Sequence, residues 1–204
     1  MAGDRPALLN ELAENGWALL EGLDFPDLLE LCGTLGRRRR VTRLLARPAP
    51  DASGPSLSAS HGLGVFPPHT DGATDSTPPA YVALWSAATS GAATLLYDGH
   101  DPALDVPVFS RTWLVDTGRR HFYVVPRTRL NDRIRWRFNP DCMRPADGQE
   151  AAAAVAQFQD VARTRVEWRP NAAVIFDNSR VVHGREGVDL SDGDRELMRI
   201  SVTA

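Results

Sequence analysis

Lysine is missing from this chain, and all 23 of its basic residues are arginine. Against 26 acidic residues the formal net charge is −3, so no general attraction to nucleic acid is expected. A GC-rich genome accounts for the choice of arginine, which also suits carboxylate binding. Cysteine is almost as scarce. Cys32 and Cys142 are the only two, in unrelated contexts and without a CxxC or zinc pattern. That excludes a disulfide framework and points to a reduced, cytoplasmic protein. No apolar run is long enough to cross a bilayer, and no N-terminal stretch has signal-peptide length. With 204 residues, 43% of them hydrophobic and 24% charged, a single globular domain with a sizeable core is expected.

What the chain does contain begins with two helical patterns. Leu8, Leu9, Leu12 and Ala13 within Arg5–Asn15 are spaced as on one helix face, and Asn15-Gly16 ends the run. Trp17–Glu21 reads as a short buried strand. A second helix is expected from Pro26 to about Leu35, with Asp24 or Phe25 near its cap. Arg37–Arg40 then leads into Val41-Thr42-Arg43-Leu44-Leu45. This run is either an anion-binding patch or an edge strand with gatekeeping charges, and the plainer reading is preferred. Residues 47–60 read as a flexible loop, a candidate lid or a plain surface loop.

From Ala80 onward the text is strand after strand, short segments rich in Val, Leu, Trp and Tyr separated by turn residues. One helix, Gln149 to about Arg163, interrupts them. The expected fold class is therefore mainly β with flanking helices, a sandwich or jelly roll. One domain over 1–204 divides into helix-strand-helix support (1–46), the loop (47–60) and a jelly-roll core (61–204).

Within this frame, Pro67-Pro68-His69-Thr70-Asp71-Gly72 carries a His-x-Asp pair. Alternate residues of an extended strand share a face, so one imidazole and one carboxylate can reach a common point. His183 would complete two histidines and one carboxylate on one face of a metal, leaving the other face open as in non-haem Fe(II) oxygenases. The plain alternative is a hydrogen-bonded structural set. Near the C-terminus, Arg195 and Arg199 stand at i and i+4 of a strand and can share its face. A guanidinium fork matches a carboxylate. Thr94, in Gly91-Ala92-Ala93-Thr94, offers a hydroxyl that could share it. Arg199 could equally be a salt-bridge partner at the surface. His61, His100 and His121 have no assigned role. Trp85, Trp113, Trp136 and Trp168 read as core.

Taken together these blocks resemble the Fe(II)/2-oxoglutarate-dependent dioxygenases of the taurine dioxygenase and clavaminate synthase-like superfamily. The matching text is His69-Thr70-Asp71, Thr77-Pro78-Pro79, Gly91–Leu95, Phe176–Arg185 and Arg195–Arg199, in that order. The resemblance implies a double-stranded β-helix, cupin-like core. It implies Fe(II) held by His69, Asp71 and His183, and 2-oxoglutarate as co-substrate with its distal carboxylate on Arg195 assisted by Thr94. O2 is the third reactant, and Arg199 lies on the substrate side. Asn178 and Arg185 would support His183 and the barrel mouth. The implied activity is hydroxylation of a C–H bond in a small polar metabolite, amino-acid-like or carrier-bound, in specialised metabolism. No nucleic acid or membrane partner is expected, and the oligomeric state is left open. Two rival readings are a non-catalytic scaffold on the same barrel and a cupin-like metal enzyme that does not use 2-oxoglutarate.

Overall fold

The computed structural model describes residues 5–51, 57–130, 133–148, 150–189 and 196–203, without the side chains of 38 and 39. Its framework is a pair of antiparallel sheets whose strands alternate between them along the chain. The larger has the order β1 (Trp17–Leu20), β12 (Ala172–Asp177), β4 (Tyr81–Ser86), β14 (Glu196–Thr203) and β2 (Arg37–Leu45). The smaller has the order β11 (Arg163–Trp168), β5 (Ser90–Asp98), β13 (Val181–Arg185) and β3 (Phe66–His69). From β3 to β5 and again from β11 to β14, each strand crosses to the opposite sheet. This is the double-stranded β-helix expected.

The period-2 alternation of side chains decides what each sheet face carries. Val82, Leu84, Val174, Phe176 and Leu197 of the large sheet meet Leu96, Val166, Trp168 and Val181 of the small one in a shared core. The large sheet's other face (Ala83, Ala173, Ile175, Ile200, Val202) is covered by two helices, α1 (Arg5–Asn15) and α2 (Phe25–Leu35). Helix α1 buries Leu8 and Leu12, one turn apart. Helix α2 buries Leu28, Leu31 and Cys32, and its first turn is capped by Asp24, whose carboxylate accepts from the Asp27 N–H at 2.8 Å.

The outer face of the small sheet, through Leu95, Tyr97 and Val182, packs on an aromatic lobe containing Phe109, Trp113, Trp136, Phe138 and Phe158. That lobe comprises the strands β6 (Trp113–Asp116), β7 (His121–Val124) and β10 (Met143–Pro145) and the hairpin β8 (Arg127–Leu130) and β9 (Arg133–Trp136). The short helices α4 (Pro107–Ser110) and α5 (Ala151–Ala156) lie between its strands in the chain.

The arginine run belongs to a nine-residue strand, β2, at the edge of the large sheet, as its plainer reading expects. Other expectations are altered. Strands β1 and β2 extend that sheet, so the N-terminal stretch is continuous with the barrel. The stretch read as a loop ends in a short helix, α3 (Leu57–His61). The helix expected over Gln149–Arg163 covers only Ala151–Ala156 plus a 3-10 turn, Gln157–Gln159. Pairing of Arg163 with Tyr97 claims the following residues for β11. Trp113, Trp136 and Trp168 are buried in the core, while Trp85 is half-buried and donates its indole N–H to the Leu23 carbonyl.

Candidate metal centre and active site

Strand pairing brings the two histidines together. In the β13–β3 ladder His183 is the direct partner of His69, and the ring centroids lie 4.2 Å apart. Two prolines in β3 are tolerated because it is an edge strand. Asp71 reaches the same point by a route the strand argument did not foresee: β3 ends at His69, and Asp71 lies in the turn beyond. There Asn178 grips its backbone, accepting from the Asp71 N–H at 2.9 Å and donating to the carbonyls of Asp71 (2.9 Å) and Pro79 (3.0 Å). Gly72 follows at φ +68°, and a Cβ there would meet Pro79 Cδ at 2.8 Å. Thr70 is tied to the lobe, its N–H donating to the Phe138 carbonyl at 2.7 Å. The turn is thus held from two sides, and the ligating atoms of His69, Asp71 and His183 all lie within 4.8 Å of one another.

The electrostatics suit a divalent cation. Burial pushes the His183 pKa down to about 3, with His69 adding to the effect. Burial also lowers that of His69. Burial opposes ionisation of Asp71, but the Arg199 guanidinium and the two imidazoles outweigh it and hold the carboxyl below its ordinary value. Two neutral imidazoles and one carboxylate are the protonation states a metal requires. His69 Nδ1 sits 2.9 Å from the Pro67 carbonyl, which makes Nδ1 the protonated nitrogen and frees Nε2. Among the described residues Asp71 Oδ2 and His183 Nδ1 are buried without a partner. Leaving polar atoms in this state is costly in an empty site and natural around a cation. Two histidines and one carboxylate with an open side match Fe(II).

The triad forms part of the wall of a cavity of about 500 Å³. Thr94 lines it too, from the inner face of β5, and its hydroxyl accepts from the Trp168 indole N–H at 3.2 Å. Arg199 lines it and donates to Asp71 Oδ1 at 2.9 Å. It is therefore an ion-pair partner, though of the site's own carboxylate and not of a surface group. Arg195 lies outside the described residues. Arg185 is 5% exposed; it stacks over the Phe66 ring at 3.5 Å and donates to the carbonyls of Gly62 (2.7 Å) and Gly64 (2.6 Å), fastening the approach to β3. His61 does not line the cavity and pairs with Asp141 at 2.9 Å. His121 pairs with Asp116 elsewhere, and His100 borders a separate cleft. Asn178, expected to support His183, instead holds the backbone of Asp71 and Pro79, a pairing that only the folded chain brings about.

Three solved structures share this fold. Asparagine oxygenase in complex with Fe(II), 3-hydroxyasparagine and succinate superposes with a TM-score of 0.77 at 16% identity, over 98% of this chain and 78% of that one. The non-heme iron oxygenase OrfP in complex with Fe and alpha-ketoglutaric acid gives 0.73 at 18% identity, over 100% and 80%. The PvcB protein from Pseudomonas aeruginosa gives 0.70 at 17%, over 98% and 80%. At such identities the likeness establishes the fold. No curated protein matches this chain. The sequence model of the family described as taurine catabolism dioxygenase TauD, TfdA family matches residues 97–201, about half of the chain and the part that contains His183 and Arg199. On that match the chain belongs to the TauD/TfdA dioxygenase family.

Proposed function

We propose that this protein is an Fe(II)- and 2-oxoglutarate-dependent oxygenase that hydroxylates a C–H bond of a small polar, amino-acid-like metabolite, free or tethered to a carrier, in specialised metabolism. One domain over 1–204 carries the activity. The observation that bears most weight is the buried set His69, Asp71 and His183, with its ligating atoms within 4.8 Å and its protonation states already those of metal ligands. These three residues would hold Fe(II). Iron held there, with 2-oxoglutarate and O2, would supply the oxidising chemistry for a C–H bond, 2-oxoglutarate leaving as succinate and CO2.

The protein's share of the work is placement. Thr94 on β5 and Arg195 would receive the distal carboxylate of 2-oxoglutarate. Asn178 holds the backbone of Asp71, so that the carboxylate keeps one orientation. Arg199 keeps Asp71 ionised, and its Nε, buried and without a partner among the described residues, is a remaining donor for the substrate side. The walls of Phe176 and Leu197 beside His183 and Arg199 exclude water from one flank.

Anaerobic addition of Fe(II) and then 2-oxoglutarate to the metal-free protein tests the reading. A weak visible charge-transfer band should appear and be abolished in His69→Ala, and succinate should form once O2 and substrate are supplied. A folded wild-type protein that gives no band would replace the oxygenase with a non-catalytic scaffold.

A further inference from the structure

The arginine run at the start of β2 is only partly accounted for by an edge strand. The β14–β2 register pairs Arg199 with Thr42 and Ser201 with Arg40. Partners across a ladder point to the same face, so Arg40, Thr42, Arg199 and Ser201 project together. That face fronts the cavity, with Arg40 exposed to solvent at its mouth. Arg40 lines the cavity that contains the triad, and with Asp71, Asp75, Arg199 and Ser201 it also lines an adjoining recess. Diagonal neighbours of this kind have Cβ atoms roughly 7 Å apart, which places a second guanidinium one step beyond the one that holds Asp71.

The charges around the cavity are unbalanced. Among the described residues Arg40, Arg43, Arg47, Arg185 and Arg199 line it, against the carboxylate of Asp71. Three of the five are engaged: Arg43 forms a double contact with Glu196, Arg185 is spent on the Gly62 and Gly64 carbonyls, and Arg199 on Asp71. Arg47 only grazes the Asp51 carbonyl at 3.5 Å. Arg40 has no ion-pair partner among the described residues. Once Asp71 serves a metal, the described carboxylates left near these arginines are Glu196, taken by Arg43, and Asp75 in the adjoining recess, fewer than the guanidiniums they face.

We infer that Arg40 is a substrate-specificity residue: it binds an anionic group, carboxylate or phosphate, of the substrate at the mouth of the cavity. This rests on the oxygenase reading for what happens to the substrate, but not for the binding itself. The substrate class it selects is a small molecule whose anion lies a few bonds from the C–H presented to the triad. A neutral or cationic compound of the same shape would be rejected, because it would leave the arginines of the wall without a counter-charge.

The test uses acetate and inorganic phosphate as probes, titrated calorimetrically at low ionic strength. The protein is loaded anaerobically with Fe(II) and saturating 2-oxoglutarate, and a parallel sample is left unloaded. Wild type should bind one of the two anions. Arg40→Ala should weaken that binding roughly ten- to hundredfold, as loss of a hydrogen-bonded charge does, and Arg40→Lys should restore much of it. Arg37→Ala, which removes the same charge from the same strand away from the cavity, should leave it unchanged. Stronger binding of acetate assigns a carboxylate, and stronger binding of phosphate a phosphorylated substrate. No binding by wild type, equal binding by Arg40→Ala, or an equal loss in Arg37→Ala would overturn the inference. The charge-transfer band reports on the iron site independently: a band without Arg40-dependent binding sinks only this inference, and Arg40-dependent binding without a band sinks only the oxygenase reading.

Discussion

The two faces of the five-stranded sheet are made from the same strands and serve opposite purposes. Facing α1 and α2, residues such as Ala83, Ile175, Ile200 and Val202 are completely buried in an apolar layer. Facing the small sheet, β14 carries Leu197, then Arg199, then Ser201, and the interior passes from an apolar core to a charged cavity along one strand. Arg199 and Ile200 are neighbours in sequence, yet one holds the Asp71 carboxylate and the other packs in the core beneath the helices. Stability and function are thereby separated by a single residue step, and substitutions on the two faces should fail in different ways.

The largest effect should come from the inner face. His183→Ala or Asp71→Ala should abolish the Fe(II)/2-oxoglutarate band and turnover while far-ultraviolet circular dichroism stays native. If turnover survived either change, the metal assignment would be wrong. On the outer face, Ile175→Ala should reverse the pattern. It should destabilise the fold by about 2–5 kcal/mol, as expected of a fully buried aliphatic side chain, while the folded fraction still binds Fe(II) at wild-type affinity. Denaturant unfolding beside an iron titration separates the two.

Asn178→Ala probes the link between the faces, because it strips a buried amide from the turn that carries Asp71. A loss of about 1–3 kcal/mol together with roughly tenfold weaker Fe(II) binding is expected. Loss of stability with no change in iron affinity would show that Asp71 does not need its clamp. The pH dependence of the metal-free protein sharpens the same contrast. His183 titrates at about 3 when folded against 6.5 ordinarily. As the pH falls below 6.5 the unfolded chain takes up the proton first, so stability drains away down to about 3 and is untouched by this group above 6.5. A His183→Gln variant should flatten that part of the profile. The smallest effect should be Arg43→Ala. Its exposed pair with Glu196 (side chains 62% and 37% exposed) should contribute less than about 1 kcal/mol.

Much of this was open to reading along the chain. Helix α1 follows from the spacing of Leu8 and Leu12, and the N-cap of α2 from Asp24. Most strands of the two sheets announce themselves as short Val- and Leu-rich segments between turn residues. Local propensity overextends the helix before β11 because its alanines favour helix, whereas pairing of Arg163 with Tyr97 is a distant contact that propensity cannot weigh. Asp71 stands beside the two histidines, but alternation along a strand does not put it there; Asn178 and the positive φ of Gly72 do. The arginine run was legible as a strand but not as a cavity wall. Which face of β2 looks inward depends on its register with β14, written 153 residues away at the Arg43–Glu196 contact.

By itself the sequence determined the residue types, their order and their period: a His-x-Asp pair, a later histidine, two arginines four apart and strands of alternating character. Those suffice for a barrel and a candidate metal site because side-chain direction follows locally from backbone geometry. Only the tertiary structure decided the commitments between distant groups. It set His183 opposite His69, put Arg199 on Asp71, spent Arg185 on the approach to β3 and turned Arg40 toward the cavity. Each of these depends on strand register, and register is a property of two segments at once, which neither can specify alone.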